Sequence, residues 1–252
     1  MLYNNNTILN SLIMIKAKKN FGCVIEKELY WGNEILAKDV EELKKMGVGA
    51  VGNLIHYKDP KDEIKYSNDD FTVFHLSIKD IPTNTIEWCE QGSKFIEDQI
   101  EEGKCVYVHC IYGISRSSTQ IMHFLMTKEN KTLKEAFDYL RTQRHVVCPT
   151  FGFMKGLSEL DEKLHGKVSF SPEEYAYLAI SEVLPHIPMN EIKRVYAESK
   201  KEVEANIEMW TKRRNEENIE PVGFLCYDKL FELHGRERFI PRFGCSVHHP
   251  FD

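Results

Sequence analysis

The chain has 252 residues, of which 42% are hydrophobic and 29% are charged. These proportions are typical of a globular protein with a buried core, either one large domain or a catalytic domain with an appendage. The net charge of -6 is spread along the chain without a concentrated basic face, so we expect no nucleic-acid binding. The longest early apolar run, 8–15, is interrupted by polar residues and too short to span a bilayer, so we expect no membrane segment.

Targeting signals and cysteine spacing indicate the compartment. No basic segment precedes the early apolar run and lysines follow it, which argues against a signal peptide. We therefore expect a cytoplasmic or nuclear protein, or one present in both. The seven cysteines have no C-x-x-C spacing and predict no disulfide framework. Most would be small buried apolar side chains, so a cysteine with a chemical role must be identified by its neighbours.

The first part of the chain predicts a leader followed by short strands and helices. Residues 1–21 contain a polar asparagine run and predict a flexible leader. Alternating apolar positions then indicate strands, and apolar positions at helical spacing indicate helices. The predicted strands lie around a turn in 23–31 and in 48–55 and 71–78, the predicted helices in 39–46 and 85–101, and a loop in 79–82.

The middle of the chain predicts a strand, a tight turn and an apolar helix at 105–109, 110–115 and 116–128. Thr132 and Glu135 form a capping box that begins a helix ending at Gln143, and a further helix is predicted in 151–164. Alternating strands and helices of this kind predict an α/β fold, with a central, mostly parallel twisted sheet flanked by helices.

Beyond residue 166 the pattern predicts a mainly helical C-terminal extension. Ser171 and Glu174 form a second capping box with proline at the first helical position, and prolines break that helix at 185 and 188. A long amphipathic helix is predicted in 190–215. Its apolar stripe comprises Ile192, Tyr196, Ser199, Val203, Ile207 and Trp210. Its solvated side carries the charged residues Lys200, Lys201, Glu202 and Glu204. The last 35 or so residues, rich in glycine, proline and aromatics, are predicted to be irregular.

One motif indicates a catalytic site: Cys110 and Arg116 are six positions apart on the turn between a predicted strand and a predicted helix. A turn at a helix N-terminus directs backbone amides and the helix dipole at one point, which suits a phosphate. Arginine adds a bidentate, permanently charged clamp, and Gly113 suits a backbone that passes through positive φ. The same field stabilises a thiolate, so we expect the pKa of Cys110 to lie well below that of a free thiol.

The alternative is that Cys110 is a structural buried thiol and Arg116 a surface cation. A cysteine and an arginine at this spacing would be weak evidence alone. His109 before the pair, Gly113 within it and Ser117 after it, on a strand–turn–helix, favour the catalytic interpretation.

The run VHCIYGISRSST at 108–119 resembles the signature of the dual-specificity branch of the protein tyrosine phosphatase superfamily. The resemblance continues in LYWGNEILAKDVEELKKMGVGAVGNL at 29–54, KTLKEAFDYLRTQR at 131–144 and PTFGFMKGLSELDEKL at 149–164. It implies a catalytic domain over 22–166 with the cysteine-phosphatase fold, leaving 167–252 as an extension of unknown role.

The resemblance implies a role for each matching residue. Cys110 would attack phosphorus, Arg116 would hold the transferring phosphoryl group, and the Ser117 hydroxyl would help the thiolate leave. Asp80, about thirty residues before the cysteine, matches the family's general acid; the alternatives are an ordinary turn aspartate, or Glu87 as the acid. The phosphate would be wrapped by the backbone of Ile111, Tyr112, Gly113, Ile114, Ser115 and Arg116.

Two further residues are predicted to support this loop. His109 would orient it through hydrogen bonds rather than titrate, and Asn53 would either support it from behind or be a plain strand-end asparagine. The chain departs from the family at Thr150, where asparagine is usual, and at His145, where proline is common. Threonine caps helices as asparagine does, so we expect altered local contacts and retained activity.

The expected substrate is a phosphoprotein carrying phosphotyrosine or phosphoserine/phosphothreonine, with no cofactor. The loop lacks the lysines that accompany phosphoinositide substrates, and the acidic chain disfavours RNA 5′-phosphates, but both stay as alternatives. A phosphoprotein-binding scaffold is another alternative, disfavoured because Cys110 and Arg116 are both intact. The extension is a candidate surface for a protein partner. No metal site is expected, because Cys226, His234, Cys245, His248 and His249 lack the spacing of zinc ligands.

Overall fold

The computed structural model describes residues 20–234. Within that range the chain forms two compact units, one comprising 20–79 and 87–148 and the other 80–86 and 149–234. The predicted leader 1–21 lies outside the described residues apart from its last two positions. The segment 80–86, which includes Asp80, therefore groups with the helices of the second unit although the chain around it belongs to the first.

The first unit is built on a five-stranded sheet in the order β1-β2-β5-β3-β4. The β1–β2 pair is an antiparallel hairpin, and the other three pairings are parallel, as the sequence predicts. The strands are β1 (Phe21–Ile25), β2 (Leu29–Gly32), β3 (Val48–Asn53), β4 (Thr72–His75) and β5 (Cys105–His109). The strands predicted in 48–55 and 71–78 are thus shorter than expected.

The central strand β5 is buried at every residue, as expected for a strand covered by helices on both faces. His109, its last residue, pairs with Gly32 of β2 and with Asn53 of β3. The carboxyl ends of the three strands therefore end at one level of the sheet. In open α/β sheets, ligands bind in the crevice outside this edge, so the register places residue 110 there.

Five α-helices and one 3₁₀ turn complete the described part of the first unit. The helix after β5 and the capping box at Thr132 are both confirmed. The helix predicted in 85–101 begins only at Cys89, since residues up to Ile86 pack with the second unit. The elements are α1 (Glu34–Ala37), α2 (Val40–Lys45), the 3₁₀ turn (Pro60–Asp62), α3 (Cys89–Glu101), α4 (Arg116–Lys128) and α5 (Leu133–Gln143).

The second unit is helical in its described part, and two predictions about it were wrong. The single helix predicted in 190–215 is interrupted at Asn206, whose φ of -125° and ψ of 39° leave the helical region. The segment after 217, predicted to be irregular, contains a helix. Pro221 is the first residue of this helix, a position where proline is favourable. The helices are α6 (Phe151–His165), α7 (Pro172–Val183), α8 (Met189–Ala205), α9 (Ile207–Glu217) and α10 (Pro221–His234).

The break at Asn206 decides which apolar residues are buried. Ile192, Tyr196, Ser199 and Val203 of α8 form the buried stripe that the sequence predicts, and the charged residues at 200–202 and 204 are exposed. Trp210 of α9 is also buried, but Ile207 is 56% exposed, because the break turns α9 out of register with α8. The capping box at Ser171 is confirmed.

The described residues also bear on membranes, metals and disulfides. None of the helices in 20–234 has both the length and the apolar character needed to cross a membrane. Over the same range no three histidine, cysteine or acidic side chains are grouped so that they could hold a metal ion, and none of the six cysteines there forms a disulfide. Cys245, His248 and His249 lie outside the described residues.

Candidate active site

Cys110 follows the last residue of β5, and Arg116 is the first residue of α4. The segment between them forms a closed loop, which we call the anion loop (residues 110–116). The side chain of Cys110 is only 2% exposed, so the sulfur lies at the base of the loop. The strand–turn–helix arrangement predicted around this pair is therefore present.

All five carbonyl groups of residues 111–115 accept hydrogen bonds from groups outside the curve of the anion loop. The donors come from the loop's surroundings and from the first turn of α4. They are Glu34 N to Ile111 O at 3.0 Å, the Arg144 guanidinium to Tyr112 O at 3.2 Å and Gly113 O at 2.5 Å, Cys148 N to Ile114 O at 3.0 Å, and Thr119 N to Ser115 O at 2.8 Å.

The outward carbonyls fix the direction of the amides. A trans peptide holds its N–H opposite its C=O, so the amides of residues 112–116 point to the inside of the loop. The amide of Gly113 lies 3.3 Å from the Cys110 sulfur, which shows this orientation directly. Inward amides at the start of a helix attract an anion and favour the thiolate over the thiol. The loop can therefore hold a phosphoryl group beside its nucleophile.

Gly113 is the one residue of the anion loop whose backbone requires glycine. Its φ of 67° is in the left-handed region, as the sequence predicts. A Cβ atom there would lie 2.2 Å from an Arg144 nitrogen and 2.5 Å from the carbonyl carbon of Gly32. Any side chain would displace the arginine that holds two of the outward carbonyls, so glycine serves both the turn and its support.

The Arg116 guanidinium is buried and is oriented by the ends of two neighbouring segments. Its Nη1 donates to Ile78 O at 3.1 Å and approaches Leu54 O at 3.5 Å. These carbonyls restrain the long side chain before any ligand binds, which lowers the entropy lost when the fork engages a phosphate.

Ser117 lies one residue further along α4, directly beside the sulfur. Its hydroxyl is 3.4 Å from the Cys110 sulfur and 3.4 Å from Gly32 O. A hydroxyl in this position can donate a hydrogen bond to a departing thiolate and so help it leave, which is the role that the sequence resemblance implies.

His109 is fully buried, and burial lowers its pKa to about 3, so the ring is neutral at physiological pH. Its Nε2 lies 2.7 Å from the hydroxyl of Tyr66, whose pKa burial raises, and its ring stacks on Tyr107. A neutral ring held on two sides supports the prediction that His109 orients the loop and does not titrate.

The Asn53 side chain forms its hydrogen bonds within its own segment, and the choice between its two predicted roles stays a prediction. Its side-chain oxygen accepts from the amide of Ile55 at 3.1 Å, and its nitrogen donates to the Tyr57 hydroxyl at 3.1 Å. Among the described residues no hydrogen bond joins the Asn53 side chain to 109–117. Its polar groups are satisfied by its own loop, as is common for asparagine at turns.

The two acid candidates lie in different units. Asp80 is half-buried at the start of 80–86 in the second unit, and Glu87 is exposed at the start of the next segment of the first unit. The choice between them stays a prediction, in which Asp80 is favoured by its place in the chain.

Sequence reasoning missed two residues that support the site, Arg144 and Tyr66. Both act on the anion loop or its flanking histidine from distant parts of the chain, so neither has a local pattern that reveals the contact. Burial lowers the pKa of Arg144, and the negative charge that a Cys110 thiolate would carry opposes that shift. Arg144 is therefore both a hydrogen-bond donor to the loop and a source of positive charge near it.

Replacing Arg144 by lysine should weaken the loop although the charge is kept. Arg144 reaches Gly113 O and Tyr112 O with two different nitrogens, a planar fork that the single nitrogen of lysine does not reproduce, and an unpaired buried carbonyl costs about 1–3 kcal/mol. We expect a lower free energy of unfolding by that amount in urea titrations. The matched control is Arg194→Lys on α8, an exposed arginine, where the same exchange should change the unfolding free energy by less than about 0.5 kcal/mol. Equal losses in both variants would contradict this role.

Comparison with known proteins gives a family. A sequence model described as the dual specificity phosphatase catalytic domain matches residues 29–163, which is more than half of the chain. The chain therefore belongs to the dual specificity phosphatase family. The matched segment contains strands β2 to β5, the anion loop and Arg144, whereas β1 lies before it.

Similar proteins support this assignment. The chain is 32% identical over 160 residues to dual specificity protein phosphatase PHS1 of Arabidopsis thaliana, covering 63% of this chain and 17% of that relative. It is 34% identical over 142 residues to dual specificity protein phosphatase 5 of Rattus norvegicus, covering 54% and 34%. The alignment with protein-tyrosine-phosphatase MKP1 of Arabidopsis thaliana covers 21% of that protein, so the chain spans only a fraction of the relatives it matches.

A solved structure shows the same fold at lower identity. The human tyrosine phosphatase-like serine/threonine/tyrosine-interacting protein superposes with a TM-score of 0.53 and 23% identity, over 57% of this chain and 96% of that one. A protein named for being phosphatase-like shares the fold, so the fold alone does not separate catalysis from binding. That distinction depends on the site residues.

Proposed function

We propose that this chain is a protein phosphatase that hydrolyses phosphotyrosine and phosphoserine/phosphothreonine through a cysteinyl-phosphate intermediate. The observation that carries the proposal is the anion loop, whose five carbonyls are held outward so that its amides point inward, with the Gly113 amide 3.3 Å from the Cys110 sulfur. An intact nucleophile, clamp and hydroxyl favour catalysis over the scaffold alternative.

In the first chemical step the Cys110 thiolate would attack phosphorus and form an S–P bond. The P–O bond to the substrate breaks, and the departing oxygen takes a proton from the Asp80 carboxyl. The inward amides and Arg116 stabilise the charge on the transferring oxygens, which is the largest contribution expected of such a site.

In the second step the Asp80 carboxylate would remove a proton from water as that water attacks phosphorus. The S–P bond breaks, and sulfur keeps the electron pair. The Ser117 hydroxyl, 3.4 Å away, stabilises the returning thiolate by a hydrogen bond. Inorganic phosphate is released and the enzyme is restored to its starting state.

The composition of the anion loop favours a substrate with a single phosphate. Ile111, Tyr112 and Ile114 are half-buried and uncharged, so the loop offers charge for one phosphate only, from its amides and Arg116. A singly phosphorylated side chain suits this arrangement better than a phosphoinositide with several phosphates or an RNA 5′-triphosphate.

The proposal is tested by comparing rates on phosphotyrosine and phosphothreonine peptides, a phosphoinositide panel and a 5′-triphosphorylated RNA, with Cys110→Ser as blank. We expect phosphate release from the peptides at least about 10-fold faster than from the others. Faster release from phosphoinositides or RNA would reassign the substrate. Tight peptide binding without turnover in reducing buffer would favour the scaffold.

A further inference from the structure

The segment that carries the proposed acid is held by the C-terminal helices. Residues 80–86 form a turn in which the amide of Asn84 donates to Ile81 O at 3.1 Å, with Pro82 between them. We call this segment the acid turn. Proline fixes its own φ, so the turn that follows Asp80 is stiff.

One side of the acid turn rests on helix α6. A Cβ built on Gly152 would lie 2.2 Å from Asn84 O and 2.4 Å from Pro82 O. The Cβ of Gly156, one helical turn later, would lie 2.8 Å from the Ile86 side chain. Two glycines on one face of α6 therefore let the backbone of the acid turn lie directly against the helix.

The tip of the acid turn is joined to the extension by a hydrogen bond. The Thr83 hydroxyl donates to the side-chain oxygen of Asn218 at 3.2 Å, across 135 residues of sequence. Asn218 connects α9 to α10 and has a left-handed backbone with φ of 51° and ψ of 48°. It lies outside the 29–163 segment that matches the family, so this contact is supplied by the chain's own extension.

Asn218 is itself firmly anchored. The next residue, Ile219, is 2% exposed and belongs to a buried cluster with Val203 and Trp210. Glu220 then caps α10 by accepting from the amides of Val222 and Gly223. The Asn218 side-chain oxygen, which accepts the hydrogen bond from Thr83, is therefore held in place between α9 and α10.

We infer that the C-terminal extension positions the general acid, through the hydrogen bond from Thr83 to Asn218. Thr83 is three residues from Asp80 on a stiff turn. A general acid must lie within hydrogen-bond reach of the leaving oxygen, and a displacement of about 1 Å can cost up to about 10²-fold in rate. Thr83 and Asn218 are thus positioning residues, and the inference rests on the proposed role of Asp80.

The variants that test this change one hydrogen-bonding group each. Thr83→Val removes the donor at almost constant shape, and Asn218→Gly removes the acceptor while keeping a residue that accepts positive φ. Thr83→Ser and Asn218→Asp are the conservative controls, because the first keeps the hydroxyl and the second keeps an acceptor oxygen in a residue that tolerates this conformation. Each is made in the full chain, and circular dichroism checks folding.

The measurement is kcat on two substrates that differ in their need for an acid. Phenyl phosphate has a poor leaving group, and p-nitrophenyl phosphate has a good one that leaves with little protonation. We expect Thr83→Val and Asn218→Gly each to lower kcat about 10-fold on phenyl phosphate and less than about 2-fold on p-nitrophenyl phosphate. The double variant should be no slower than either single one, since both remove the same bond. The conservative controls should stay close to wild type.

A third arm separates failure of the inference from failure of the proposed function. Asp80→Asn should slow phenyl phosphate about 10²-fold or more, and adding Thr83→Val to it should have no further effect. Two results would overturn the positioning role while the acid assignment stands. In both, Asp80→Asn is slow; in the first, Thr83→Val and Asn218→Gly match wild type, and in the second, they lower kcat equally on both substrates. If Asp80→Asn is silent, the acid assignment falls and the positioning role falls with it.

Discussion

Cys110→Ser should abolish turnover, with kcat at least about 10⁴-fold below wild type. A serine hydroxyl in the same place is not ionised by the field of the loop, so the nucleophile is lost. Binding of a phosphotyrosine peptide in which a non-hydrolysable phosphonate replaces the phosphate should stay within about 3-fold of wild type, because the inward amides and Arg116 do not depend on sulfur. Steady-state assays and isothermal titration calorimetry measure the two quantities on one preparation.

A second cysteine provides the control for this variant. Cys23 is half-buried on β1, and Cys23→Ser should leave kcat within about 2-fold of wild type. A parallel loss of peptide binding and turnover in a folded Cys110→Ser protein would contradict the account, since it would mean that sulfur and not the loop holds the phosphate.

Arg116→Lys should reduce kcat/KM by about 10²–10³-fold although the positive charge is retained. Lysine cannot bind two phosphate oxygens in one plane, and it cannot reproduce the bond from Arg116 to Ile78 O that orients the guanidinium. The KM for a phosphopeptide should rise and kcat should fall, because the clamp acts on both the bound substrate and the transition state.

Stability must be measured alongside, because Arg116 is buried. Its loss leaves the Ile78 carbonyl without this donor and should lower the free energy of unfolding by about 1–3 kcal/mol. Arg194→Lys on α8 serves again as the control and should have kcat/KM close to that of wild type. Activity of a folded Arg116→Lys protein within about 5-fold of wild type would contradict the proposed clamp.

The parts of the fold that the sequence predicted well depend on short-range signals. Strand β5 and helix α4 have the expected bounds because a buried apolar run meets a glycine-containing turn and then a continuous apolar helix. The two capping boxes follow from a hydroxyl and a carboxylate three residues apart. The positive φ of Gly113 follows from the turn itself.

The errors lie where tertiary contacts override local pattern. Asn206 interrupts a sequence with continuous helical periodicity, and only the rotation of α9 relative to α8 shows it. The glycine, proline and aromatic content after residue 217 predicts irregular structure, but Pro221 begins α10. The contacts of Arg144 with the anion loop and of Thr83 with Asn218 join residues 31 and 135 positions apart, and no periodicity carries such information.

In the candidate site, too, residues close together in the chain were predictable and contacts between distant residues were not. The residues in the motif, Cys110, Arg116 and Ser117, are adjacent in the chain and were identified together. The support from Arg144 was not, because its two hydrogen bonds to the outward carbonyls depend on how distant parts of the chain meet in the fold. The bonds of Asn53 to residues two and four positions later could not be predicted either, because both of its alternatives fit the same sequence.

The central claim is that sulfur at the base of the anion loop takes the phosphoryl group. It is tested most directly by mixing wild-type protein with a phosphotyrosine peptide for milliseconds, quenching in acid and locating phosphate by peptide mass spectrometry. The account predicts a phosphorylated cysteine at position 110 that forms and decays within one turnover. Phosphate on another residue, or turnover with none on Cys110 at any time, would contradict it.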